Sequence, residues 1–254
     1  MLKHHLFVLV FFFFTFASSS FASEGEPELL QLYQYKPLYF LAGNPYAKVQ
    51  FSFKTQIVRQ VPVYFAYAQL FFWDIFNHDP YIQDINYNPL IFYRYTINES
   101  RYQWIDLIPE EHESNGRGGT DERSWNRFGA TYHLSVPTSD DMPRFYWNFK
   151  AWVPFQSNAY SHDIDKYRGV WEFEVTMANF LGKSFEFDDL NFRLYPGGDS
   201  YTNPLKGGQE LTFRSKLAYR SFLPLFVAQI FHGYGESLSY YQDDRWGFRA
   251  GIGF

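Results

Sequence analysis

Apolar and polar residues alternate with a period of two along most of the chain, which predicts β-strands. Val49, Phe51 and Phe53 interleave with Lys48, Gln50, Ser52 and Lys54, as in a strand with one apolar and one polar face. Further extended stretches follow over 61–73, 86–95, 144–153, 170–180, 190–194, 210–219 and 223–231. Turn chemistry separates them, as in Asn77-His78-Asp79-Pro80, Pro137-Thr138-Ser139-Asp140-Asp141 and Pro196-Gly197-Gly198-Asp199. The last stretch is the cleanest. Trp246, Phe248, Ala250, Ile252 and Phe254 alternate with Arg245, Gly247, Arg249, Gly251 and Gly253. As an edge strand in water, that aromatic face would need a cover. No long helical period, internal repeat or linker is evident, so the pattern predicts one all-β antiparallel domain.

Composition says which kind. Aromatic residues make up 23% of the 254 residues and charged residues only 19%, yet the mean hydropathy is −0.35. Many rings diluted by interleaved polar residues are what a transmembrane β-barrel requires, with apolar side chains outside, polar ones inside and aromatic girdles at the interfaces. A soluble β-sandwich or lectin-like domain is the competing class. The net charge of −5 is mild and no basic stripe appears, so nucleic acid is not an expected partner. The absence of cysteine excludes a disulfide framework and a thiolate metal site.

Residues 1–22 read as a secretory signal. Lys3, His4 and His5 start it, an apolar run covers 6–16, and Ser20-Phe21-Ala22 offers a small-x-small cleavage site. That run is shorter than the roughly 20 residues of a transmembrane helix. Residues 23–35 are acidic and irregular, an N-terminal extension, and the barrel is expected over 36–254.

Candidate chemistry lies in one stretch. His112 and Ser114 stand two residues apart, so an extended backbone puts both on one face. Asn115-Gly116-Arg117-Gly118-Gly119 is turn-forming, and Arg123-Ser124-Trp125-Asn126-Arg127 can return as the neighbouring strand. Such a hairpin brings a nucleophile, its base and a group that orients the base into one row.

These residues resemble a known signature. His112-x-Ser114-Asn115-Gly116-Arg117 with Arg123-Ser124-Trp125-Asn126-Arg127 is similar to that of bacterial outer-membrane phospholipase A. Asn86-Tyr87-x-Pro89, Asp163-Ile164-x-Lys166-Tyr167-x-Gly169 and Gly233-Tyr234-Gly235-Glu236-Ser237-Leu238 resemble the family's other motifs in the same order. The strand ending on Phe254 resembles the closing strand of outer-membrane barrels. The resemblance implies an antiparallel transmembrane β-barrel of about 12 strands in the bacterial outer membrane. It also implies calcium-dependent hydrolysis of phospholipid and lysophospholipid acyl esters at either glycerol position, in an active homodimer.

Residue by residue, the resemblance implies Ser114 as nucleophile, His112 as base and Asn126 as the group that orients it, with the Gly116 N–H in the oxyanion hole. For Ca2+ it implies the Arg117 carbonyl and Asp163. Gly119 stands where the family has an aspartate and Glu122 where it has a serine ligand, so Glu122, with Asp121 beside it, is the expected replacement. Some positions stay open. Trp125 reads as space-filling or as an interface residue. Arg123 and Arg127 read as lumen hydrogen bonders or as contacts to lipid phosphate. Asp106 and Glu110 share the parity of His112, and Pro109 makes a bulge plausible there. The alternatives for the whole chain are a catalytically silent, porin-like barrel and a soluble secreted esterase.

Overall fold

A computed structural model describes residues 31–99, 102–136, 144–181, 185–217 and 224–254. The signal expected over 1–22, and the extension as far as residue 30, lie outside the described residues. Twelve antiparallel strands close into a barrel. They are β1 (Tyr39–Asn44), β2 (Ala47–Gln56), β3 (Val63–Asp74), β4 (Tyr81–Asn98), β5 (Gln103–Ser114) and β6 (Ser124–Val136), followed by β7 (Arg144–Ser157), β8 (Trp171–Ala178), β9 (Phe185–Tyr195), β10 (Gly208–Leu217), β11 (Leu225–Gly233) and β12 (Arg245–Gly253). Each strand pairs with its sequence neighbours, and β12 returns to β1 with Tyr39 opposite Gly253 and Asn44 opposite Phe248. Closure leaves no strand edge, which is what a spanning sheet needs where no water can hydrogen-bond its backbone.

The alternation sorts onto the two faces with charge inside and rings outside. On β12, Trp246, Phe248 and Ile252 are exposed while Arg249 is only 4% exposed. On β4, Ile91, Tyr93, Tyr95 and Ile97 face outward while Asp84, Asn86 and Asn88 are buried. An apolar exterior around a polar interior is the inverse of a soluble domain and excludes the secreted-esterase reading.

Buried charges in the lumen are paired. Glu111 accepts two hydrogen bonds from Arg127, at 2.8 and 2.9 Å, and a third from Lys150 at 2.6 Å. Lys48 donates to Glu210 at 2.7 Å and to Gln229 at 2.9 Å, with Glu236 at 3.2 Å. Arg249 grips the same Glu236. Each ion is costly to bury alone, so the network holds only with all members present.

The two rims differ. One carries short connections and the chain start, where Lys36 exchanges two 2.7 Å hydrogen bonds with the Ser52 hydroxyl and Gln50 donates to the Pro37 carbonyl. Tyr35 reaches the lumen and stacks on Phe92. The other rim carries long connections, including helix α1 (Ile164–Arg168) between β7 and β8. There Ile164, Leu238 and Tyr241 turn inward and pack on Trp125 and Trp152. This apolar plug sits over the lumen, against an open porin-like pore at that rim.

Candidate functional site

The hairpin of β5 and β6 forms at the long-loop rim as the sequence pattern predicts. His112 pairs with Asn126 and Ser114 with Ser124. Simple alternation would put Asp106 on the His112 face. The β5–β6 register shifts between Ile108 and Glu111, at Pro109, where one extra residue reverses the parity. Asp106, Ile108 and Glu111 are therefore buried, and Glu110 is exposed. His112, Ser114 and Asn126 stand half-buried on the outer face.

On that face His112 Nδ1 lies 2.7 Å from Asn126 Oδ1. Ser114 neighbours His112 along the strand, about 6.5–7 Å away at the backbone by strand geometry. Its hydroxyl makes no hydrogen bond among the described residues, to His112 or to anything else. The His–Asn half of the expected row is closed, and the Ser–His half stands open.

The loop after Ser114 is held from within by Asn115, which uses its whole amide. Oδ1 accepts from the backbone N–H of Arg117 at 3.2 Å and of Arg123 at 3.0 Å. Nδ2 donates to the Asp121 carbonyl at 2.8 Å and to the Ser239 hydroxyl at 3.1 Å. Ser239 and Ser237 donate in turn to buried Asp84. Gly116 follows with φ +66°, and a Cβ there would lie 2.6 Å from the Tyr87 ring. Only glycine satisfies both the left-handed backbone and that contact. The Gly116 N–H has no hydrogen-bond partner among the described residues.

Two of the expected calcium ligands accept hydrogen bonds within the chain. The Asp163 carboxylate accepts from Tyr241 and from Gln242 at 3.1 Å. Burial, with that carboxylate as acceptor, pushes the Tyr241 phenol well above its ordinary pKa, so it remains a donor. Glu122 accepts from the Ser124 hydroxyl at 3.3 Å. Gly119, at φ +66°, opens a short 3-10 turn over Gly119–Asp121. No cluster of three or more His, Asp or Glu side chains suited to a metal occurs among the described residues. Calcium takes about six to eight oxygens, more than Asp163, Glu122 and the Arg117 carbonyl offer together.

The open positions resolve. Trp125 is space-filling: 1% exposed, it donates to Glu113 at 3.0 Å and lies under the Arg127 guanidinium. Arg127 belongs to the lumen. Arg123 ties its own loop by donating to the Thr120 and Glu122 carbonyls. Sequence reading passed over Tyr87, which pairs with Ser114 across β4–β5 and floors the Gly116 turn. It also passed over Asn115 as a loop anchor and Gln156, whose amide touches Asn126. Tyr87 and Asn115 lie inside quoted motifs, so position alone could have flagged them. Gln156 had no such signal.

The family profile for phospholipase A1 matches residues 41–254. The chain belongs to the phospholipase A1 family. Phospholipase A1 of Escherichia coli K12 is 26% identical over 194 residues, and that of Klebsiella pneumoniae 27% over 195. Each alignment covers 74% of this chain and 60% of the relative, so this phospholipase A1 family member spans about three-fifths of their length. The fold agrees with solved barrels. The outer membrane phospholipase A of Escherichia coli superposes with a TM-score of 0.71 at 20% identity, over 88% of this chain and 98% of that one. The Salmonella typhi outer membrane phospholipase, a dimer with bound calcium, superposes with a TM-score of 0.70 at 20% identity over 88% and 92%.

Proposed function

We propose that this chain is an outer-membrane phospholipase that hydrolyses the acyl esters of phospholipids and lysophospholipids at either glycerol position, with Ser114, His112 and Asn126 as its catalytic row. The supporting observation is the placement of a 2.7 Å His112–Asn126 pair beside Ser114 on the outer face of a phospholipase A1 family barrel. On that face the substrate is the membrane itself, and the long-loop rim takes the outward side.

The chemistry follows from the residues. Asn126 Oδ1 accepts the Nδ1–H of His112, which leaves the lone pair on Nε2. Nε2 removes the Ser114 hydroxyl proton as the oxygen attacks the ester carbon. The carbonyl oxygen gathers negative charge, and the unpartnered Gly116 N–H donates to it. Collapse expels the glycerol oxygen, which takes the proton from Nε2, and the acyl group stays on Ser114. Water, deprotonated by the same nitrogen, then releases the fatty acid and restores the serine. The open Ser114–His112 contact is normal without substrate, since such contacts often tighten only in the complex. A neutral amide as third member stabilises the imidazolium less than a carboxylate would, and it places no further charge at the lipid surface.

Calcium dependence and the homodimer enter this reading from the family and from the calcium-bound dimer of the neighbour. Asp163, Glu122 and the Arg117 carbonyl do not by themselves fill a calcium shell, and the two carboxylates accept from Tyr241, Gln242 and Ser124. No step above runs through the metal. Folded protein in detergent should release fatty acid from a phospholipid and lose that activity in Ser114→Ala, and EDTA reads the calcium requirement separately. An active Ser114→Ala protein would contradict the catalytic assignment.

A further inference from the structure

A second bulge lies beside the row. Along β7, Trp152 points into the lumen, and strict alternation would carry Pro154 and Gln156 inward after it. The β6–β7 register instead runs from Arg127 opposite Pro154 to Asn126 opposite Gln156, which leaves Phe155 as the extra residue. Phe155 and Gln156 are both exposed. The bulge therefore turns Gln156 out onto the face of the row, where its Oε1 accepts from Asn126 Nδ2 at 3.1 Å. Bulges next to active sites serve to re-aim a side chain. Without this one, a polar amide would face the lumen and Phe155 would lie opposite Asn126.

The contact matters because Asn126 is an amide. A carboxylate offers the base two equivalent oxygens, whereas an amide offers oxygen in one orientation and nitrogen in the other. If Asn126 turned Nδ2 toward His112, the ring would hold its proton on Nε2 and could not act as base. An acceptor on the far side of Asn126 opposes that flip.

We propose that Gln156 is a positioning residue. Its carbonyl holds the Asn126 amide with Oδ1 toward His112, and so selects the imidazole tautomer that leaves Nε2 free. The inference rests on the catalytic row proposed above.

The test is a set of variants assayed for fatty-acid release in detergent, each checked for the gel mobility of the folded barrel. Gln156→Met keeps length and removes the acceptor; kcat should fall about tenfold, the worth of roughly one hydrogen bond, with KM unchanged. Gln156→Glu, a pure acceptor when ionised, should restore wild-type kcat. In an Asn126→Asp background, where a flip changes nothing, Gln156→Met should cause no further fall. Equal losses in both backgrounds would make Gln156 merely structural and overturn the proposal. So would a Gln156→Met protein with wild-type kcat alongside an impaired Asn126→Ala protein. If Asn126→Ala itself retained full activity, the catalytic row would fail first, an outcome distinct from the others.

Discussion

The lumen and the outer face of this barrel both hold polar side chains, and they hold them for opposite reasons. Inside, Arg127 and Lys150 hold Glu111 at 2.6 to 2.9 Å, and Lys48 holds Glu210 and, with Arg249, Glu236 at 2.7 to 3.2 Å. Each of these charges meets one of opposite sign. Outside, His112, Ser114, Asn126 and Gln156 lie on a face that is mostly apolar and aromatic. There the Ser114 hydroxyl and the Gly116 N–H have no partner among the described residues. In a structure that inverts the soluble pattern, a satisfied polar network is the ordinary filling, and unsatisfied polar groups on the lipid side are the ones with chemistry left to do.

That contrast breaks most visibly at the nucleophile. Ser114→Ala should reduce fatty-acid release by about 10⁶-fold and leave thermal unfolding unchanged, because the hydroxyl holds nothing together. Arg127→Met is the reverse case. It leaves Glu111 with only Lys150 and the Asn88 amide and should lower stability by about 3–5 kcal/mol, read by denaturant unfolding in detergent. Adding Glu111→Gln should recover part of that loss. A double variant no more stable than the single one would show that Glu111 is not the cause. Gly116→Ala lies between the two regions. Its Cβ would meet the Tyr87 ring and demand a left-handed alanine, so activity should fall about 10²-fold through a displaced oxyanion donor, with a smaller effect on stability.

Much of the barrel was readable from alternation. Lys48 to Lys54 and Arg245 to Phe254 sort inward and outward as their pattern requires. The hairpin was readable too, because His112, Ser114 and Asn126 lie on adjoining strands joined by a glycine-rich turn. The bulges were harder. Pro109 marks the first, and Asp106 falls inside because of it. Pro154 beside the second carries the same mark, but Gln156 becomes relevant only when the strand pairing is known. Asp163 resembles a ligand along the chain and serves the loops in space, where Tyr241 and Gln242 reach it from far along the sequence. Local pattern reports the face a residue occupies. It does not report which distant loop folds against it.

The central claim is that Ser114 is a nucleophile activated by His112 on the lipid-facing side. Covalent labelling of the folded protein by a fluorophosphonate probe, mapped by mass spectrometry, tests it most directly. The account predicts one modified residue, Ser114, with labelling lost in His112→Asn and slowed in Asn126→Ala. Labelling at another serine, or Ser114 labelling that persists at the wild-type rate in His112→Asn, would contradict it.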